Sequence, residues 1–215
     1  DTADFAAAIR WFPLAGLLVG LAVWGGMWAG TLIDPWLAAL SGVGVWVAIT
    51  GALHLDGLGD AADAAGAGHK GVGRVSSVLA DPHIGSFGVV AITLQLAAKL
   101  VLLFLLAQRG GTWALPAIAY TARIGPLVWA LTLPPLHEGL GSRFAVAVQW
   151  RHVALWCAIG SVAAWFVPAL PLAMPVFWLW HVWVRSRLGG ISGDSHGAGI
   201  EVTETVLLLA WVSLL

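Results

Sequence analysis

Charge is scarce in this chain. Of 215 residues, ten are Lys or Arg and eleven are Asp or Glu, for a formal net charge of −1. That scarcity excludes an ordinary soluble domain, and the lack of a basic excess excludes a nucleic-acid surface. A single cysteine, Cys157, excludes an internal disulfide; set in an apolar run, it reads as a small core residue. The chain opens Asp1-Thr2-Ala3-Asp4 with no basic n-region, so no removable signal peptide is expected. It also lacks an initial methionine, so the natural N-terminus is expected to lie upstream. The seven histidines have no tight ligand spacing, which argues against a zinc site. There is no Walker A loop, nucleophile elbow, internal repeat or linker, so residues 1–215 are treated as one domain.

What is there is apolar. Hydrophobic residues make up 60% of the chain and the mean hydropathy is +0.89, which points to an all-α, polytopic integral membrane protein in a lipid bilayer. The fourteen tryptophans suit interfacial belts. About seven transmembrane helices are expected from runs of roughly 20 apolar residues. They cover Trp11 to Ile33, Trp36 to Leu53, Ile84 to Ala107, Thr112 to Leu133, Val153 to Val167, Phe177 to Val184 and Glu201 to Leu215. The glycines of the first span have small-xxx-small spacing, which permits close helix packing. Residues 54–83 are too polar to span. They read as a helix, a break at Gly66-Ala67-Gly68, a short amphipathic piece from Val72 to Leu79, and the loop Asp81-Pro82-His83.

Seven spans put alternate loops on opposite sides. Arg10, Lys70, Arg74, Arg143, Arg151, Arg185 and Arg187 fall on one side, and Arg109 alone on the other. The positive-inside rule then puts the N-terminus and the polar loops in the cytoplasm. Asp56, Asp60, Asp63, Asp81, Glu138, Asp194, Glu201 and Glu204 fall on that same side. Acidic residues do not set topology, so their gathering calls for a shared site facing the cytoplasm.

The chemistry-bearing stretch is His54-Leu55-Asp56-Gly57-Leu58-Gly59-Asp60-Ala61-Ala62-Asp63. In a helix, Asp60 lies about 40° from Asp56 and Asp63 about 20° on its other side. Three carboxylates that close repel unless a cation sits among them, and hard oxygen ligands suit Mg2+. A solvated acidic helix end is the bland alternative. Gly57 removes a side chain where a bulky ligand would approach, and with Gly59 it weakens the helix that the one-face placement requires. The run Gly189 to Ala198 offers a phosphate cradle through Gly190 and Gly193, with Asp194 and Ser195 adding a metal ligand and a hydroxyl. An ordinary loop between spans is equally in keeping with it. Lys99 and Arg123 lie inside spans, where they would bind phosphate, balance carboxylates or simply pair with a buried acid. Asp81 is a further ligand or the N-terminal cap of the third span. His54 is a metal ligand, a base or a hydrogen-bonded interfacial residue, and His181 reads as structural.

With these residues in view, the chain resembles the cobalamin synthase (adenosylcobinamide-GDP ribazoletransferase) family. The resemblance runs from Phe12 nearly to the C-terminus. Thr50 to Asp63 looks like the family's T-G-x-x-H-x-D-G-L-A-D-x-x-D segment, and Asp81, Ile84, Gly85, Phe87 and Gly88 look like its D-S-R-I-G-x-F-G segment. Lys99 and Arg123 fall where the family has a span lysine and a span arginine, and Leu188 to Ala198 with Glu201 is similar to its ending. Ala80, Pro82 and His83 depart from the family's lysine, serine and arginine, Gly59 from its alanine and Ala64 from its glycine.

The resemblance implies a Mg2+-dependent transferase in the cell (inner) membrane. It would join adenosylcobinamide-GDP to alpha-ribazole, or its 5′-phosphate, and release GMP. Asp56, Asp60, Asp63, Asp81 and Asp194 would hold metal. His54, Asp63, Lys99 and Arg123 would be catalytic, and Gly57, Gly85, Gly190, Gly193 and Ser195 would contact substrate. A homo-oligomer is left open. The rival readings are a CDP-alcohol-type phosphotransferase of lipid synthesis and an ion-coupled transporter using Lys99, Arg123 and the acidic residues.

Overall fold

The structure is a computed structural model that describes residues 7–67, 83–136, 144 and 146–215. The expected piece around Val72 to Leu79 and the residues Asp81, Glu138 and Arg143 lie outside these. A 3₁₀ turn at Ala8–Trp11 leads into α1 (Phe12–Thr31). Next come α2 (Pro35–Thr50), α3 (Leu53–Ala67) and α4 (Ser86–Arg109). The chain continues through α5 (Leu115–Ala122), α6 (Gly125–Thr132), α7 (Trp150–Phe166), α8 (Ala173–Arg187) and α9 (Gly193–Leu214). No strand occurs among the described residues; a single parallel bridge joins Pro135 to Ile191.

An all-α membrane architecture is therefore borne out. Four helical stretches are long and apolar enough to cross a bilayer: Ala8–Thr31, Ser86–Arg109, Thr112–Thr132 and Gly193–Leu214. A fifth is added if α2 and α3, bent by 84°, are taken as one broken span. The expected seven rods occur in the expected order, but α2, α7 and α8 have only 16, 17 and 15 residues, so length does not establish seven crossings.

Three boundaries differ for physical reasons. The fourth expected span is broken between α5 and α6, because Pro126 has no N–H for the carbonyl four residues back. The freed turn closes with shorter bonds, Arg123 N–H to Tyr120 O at 3.2 Å and Ile124 N–H to Thr121 O at 3.0 Å. The last helix begins at Gly193, eight residues before the expected Glu201, because Ser192 and Ser195 form a reciprocal capping box. Glu201, Thr203 and Glu204 are then buried mid-helix residues. At the start of α3, Gly51 and Ala52 both take φ of 59°, and this left-handed pair turns the chain sharply off α2. Gly66, expected to break α3, stays within it, with the Phe87 ring lying where a side chain would go.

Small residues set the close approaches. A methyl at Gly20 would come within 2.6 Å of Leu115 O on α5, and one at Gly57 within 2.6 Å of Asp194 O on α9. The first bears out the small-residue packing expected of α1. The tryptophans do more than form belts. Trp11, Trp36, Trp113 and Trp150 are exposed near helix ends, as belts require. Trp129, Trp156, Trp180 and Trp211 are buried, and each indole N–H donates to a backbone carbonyl, for example Trp211 to Gly111 O at 2.9 Å.

Inside the bundle, four buried charges tie α4, α5 and α9 together. Lys99 Nζ lies 2.7 Å from Glu201 Oε2 and 2.8 Å from Glu204 Oε2, and Arg123 Nη1 lies 2.7 Å from Glu204 Oε1. Gln95 Nε2 also donates to Glu201 Oε2 at 2.7 Å. Lys99 Nζ further sits 4.1 Å from the Trp46 ring centroid. Removing one member leaves another charge buried and unpaired, at a cost of about 3–5 kcal/mol. Glu204→Gln is expected to lower the unfolding midpoint in detergent far more than Asp34→Asn at an exposed helix cap. A joint Glu204→Gln and Arg123→Gln replacement is expected to recover part of that loss.

Candidate functional site

The acidic stretch folds as expected. α3 is continuous through Gly57 and Gly59, so Asp56, Asp60 and Asp63 share one face. Against that helix lies the first turn of α9, where the Gly57 contact brings Asp194 close. The Asp60 carboxyl is pushed up to about 6, first by partial burial and then by the charges of Asp56, Asp194 and Asp63. Four carboxylates therefore act on one another at the α3–α9 crossing.

They are not equivalent. Asp63 accepts from Gly85 N–H at 2.7 Å and from Gly88 N–H at 3.0 Å, so both its oxygens hold the start of α4. Gly85, the N-cap of α4, has no side chain to do this, and a methyl there or at Gly88 would collide with the Asp63 carboxylate. Asp56 is exposed, while Asp60 and Asp194 are half-buried and present carboxylate oxygens at the surface of the crossing. Among the described residues, no three His, Cys, Asp or Glu side chains are gathered tightly enough to hold a metal ion by themselves. Asp81 is outside the described residues.

The glycine-rich run divides. Gly190 backs onto Pro134 and Leu136, whose backbone pairs with Ile191; Ile191 N–H donates to Pro134 O at 2.8 Å. The Ser195 hydroxyl is buried and accepts from Ser192 N–H at 2.7 Å, so it closes the capping box. Gly193 is exposed with open space beside it, next to Asp194 at the N-terminus of a 22-residue helix. Of the three, Gly193 is the one placed to meet an anion. The space at Gly57 and Gly85 is filled by protein, Asp194 backbone and Asp63 carboxylate respectively.

His54, Lys99 and Arg123 form a separate group. His54 lies about 160° around α3 from Asp56, on the far side from the carboxylates. It is largely buried against Gly197, and burial followed by the Arg123 charge brings its pKa down to about 4, so its ring is neutral. The buried-acid pairing weighed for the two span cations is what the structure contains, with glutamates as the acids. The signal was in the sequence: Glu201 and Glu204, three apart, are as deep in an apolar run as the cations that they match. Two polar atoms of the group have no partner, Arg123 Nη2 and His54 Nδ1. Unsatisfied buried donors are uncommon, since each costs about 1–3 kcal/mol. Sequence reasoning also missed His196, fully enclosed by rings including Trp129 and Phe144, with neither nitrogen bonded.

Fold and site together define an all-helical membrane protein with crowded carboxylates at one end of the bundle and a neutralised charge cluster within it. Comparison with known proteins makes this specific. A family profile described as Cobalamin-5-phosphate synthase matches residues 1–212, and the chain belongs to that family. It is 57% identical over 211 residues to the adenosylcobinamide-GDP ribazoletransferase of Novosphingobium aromaticivorans, covering 98% of this chain and 85% of that one. It is 50% identical over 219 residues to the protein of the same name from Thiobacillus denitrificans, covering 99% and 87%. No solved structure matches. Family membership sets aside the lipid-phosphotransferase and transporter readings.

The raised Asp60 carboxyl gives a test that needs no ligand. Between the unfolded value near 3.8 and about 6, the folded chain holds a proton that the unfolded chain has released. Stability is therefore expected to fall as pH rises from 4 to 6. Unfolding midpoints in detergent without divalent cations should show that slope, and Asp60→Asn should flatten it.

Proposed function

We propose that this chain transfers the GDP-activated corrinoid of adenosylcobinamide-GDP to alpha-ribazole, or its 5′-phosphate, and releases GMP. The observation that carries the reading is the crowding of Asp56, Asp60 and Asp194 where α3 crosses α9, in a chain of this family. A free ribose hydroxyl oxygen of the ribazole, not the 5′ oxygen that is esterified in the 5′-phosphate, forms a bond to the phosphorus nearer the corrinoid. The bridging bond from that phosphorus to the GMP oxygen breaks, and its electron pair leaves with GMP. The hydroxyl proton passes to a carboxylate of the cluster.

The donor set fits Mg2+. Its ligands are hard oxygens, and partial burial, followed by the charges of the neighbouring carboxylates, raises the proton affinity of Asp60. Mg2+ commonly uses one or two carboxylates and completes its shell with water and substrate phosphate, so a closed protein cage is not needed. Two of Asp56, Asp60 and Asp194 would hold it, and it would supply neutralisation of the diphosphate charge. Asp63 serves by fixing α4 against α3. Gly193 N–H, at the α9 N-terminus, faces an anion. Counted over seven crossings, the basic residues of the loops support a cytoplasmic position for this face, where a nucleotide-linked substrate is met. In a bacterium with two membranes that is the inner one.

The test is GMP release by protein purified in detergent, given adenosylcobinamide-GDP and alpha-ribazole with and without Mg2+. Asp56→Asn, Asp60→Asn and Asp194→Asn are each expected to lose at least about 100-fold in kcat, as when a charge-stabilising group is removed. Near-normal rates in all three would overturn the metal assignment. Absence of GMP from the unaltered protein would overturn the reaction. Asp63→Asn is expected to lose activity together with thermal stability, unlike the other three.

A further inference from the structure

A cavity of about 170 Å³ lies between α1 and α2 at the end of the bundle where α3 begins. Phe12, Val19 and Ile49 form its apolar walls, and Thr50, His54 and Arg123 its polar corner. It is separate from the aspartate face, since His54 lies on the opposite side of α3.

Three observations describe what would occupy it. The first is hydrogen bonding. Arg123 Nη1 donates to Ala119 O at 2.9 Å and to Glu204 Oε1 at 2.7 Å, but Nη2 is buried with no partner. Arg123 is only 3% exposed, so water does not readily supply the missing acceptor. The occupant must bring one. The second is charge. Lys99 and Arg123 are already balanced by Glu201 and Glu204. A phosphate here would be an uncompensated buried anion, which is strongly disfavoured. The occupant is uncharged. The third is size. Pockets for drug-sized ligands run to roughly 300–1,000 Å³, so this one takes a single ring system rather than a whole nucleotide.

We propose that this slot binds the uncharged aza-aromatic base of the ribazole substrate, with Arg123 Nη2 donating to its unprotonated ring nitrogen and Phe12, Val19 and Ile49 covering its faces. The identity of the ligand rests on the ribazole-transfer reading; the slot's preference for a neutral, acceptor-bearing ring does not. The arrangement keeps the base on one side of α3 and the charged diphosphate on the other. Arg123 is thereby a binding residue for the base.

The test fills the slot from a position outside the charge cluster. Ala15 also lines the cavity. Ala15→Phe, and independently Val19→Phe, would occupy the space while leaving every ion pair in place. Binding of benzimidazole to detergent-purified protein is measured by calorimetry, with inorganic phosphate as the charged control. The unaltered protein is expected to bind benzimidazole and not phosphate, with alpha-ribazole competing. Each filling variant is expected to weaken benzimidazole binding at least 10-fold. It should also raise the KM for alpha-ribazole at least 10-fold, with kcat and the KM for adenosylcobinamide-GDP held. Benzimidazole binding that both variants leave intact would overturn the proposal. So would phosphate binding at the slot, or a co-purified lipid lost from both variants in a protein that binds no benzimidazole. Slot-dependent benzimidazole binding in a protein that never releases GMP would overturn the reaction and leave the slot standing.

Discussion

The four-charge cluster of Lys99, Arg123, Glu201 and Glu204 is the constraint on which the arrangement depends. In an apolar bundle no charge can be left alone, so each cation dictates where an acid must be. Lys99 on α4 meets both glutamates of α9, and Arg123, at the break after α5, meets one of them. The register of α9 against α4 and α5 is thereby set to within a hydrogen bond. That register carries Asp194, ten residues before Glu204 on the same helix, to the crossing with α3. The carboxylate cluster is thus positioned by a second, charge-balanced cluster deeper in the bundle.

The α3–α9 crossing depends on an absence as much as on a contact. Gly57 lets the Asp194 backbone approach within 2.6 Å of where a side chain would start, and Gly197 lets His54 come within 3.1 Å on the next turn of α9. Larger residues at either place would lift α9 away and separate Asp194 from Asp60. The partial burial that raises Asp60, and the carboxylate repulsion that adds to it, are then consequences of small-residue packing, held in place by the ion pairs below.

The order of the apolar rods, the one-face placement of the aspartates and the close packing of α1 were legible because each follows from spacing along a single element. The break at Pro126 was written in the sequence too, but an apolar run of twenty-two residues outweighs one proline when spans are sought by hydropathy. The early start of α9 was hidden for the opposite reason. Gly193, Gly197 and Gly199 read as loop, yet Ser192 and Ser195 supply a capping box and tertiary packing covers the glycines. Least legible were the roles within the site. Asp56, Asp60 and Asp63 have the same chemistry and the same face, and only the position of Gly85 and Gly88 shows that Asp63 is a clamp for α4. Likewise the glycines that suggested ligand contacts at 57 and 85 make room for protein.

The separation of His54 and Arg123 from the aspartates bears on how the reaction is organised. A transferase that joins a neutral nucleoside to a charged diphosphate has two binding problems with opposite electrostatic demands. Crowded carboxylates with a cation suit the diphosphate but would leave an uncharged ring unrecognised. A charge-balanced cluster with one spare donor suits the ring but would reject phosphate. Placing these on opposite sides of one helix lets the same α3 serve both, while the low dielectric around Arg123 strengthens the single bond that the slot offers. Each substrate is then excluded from the other's site by charge alone, without a moving part.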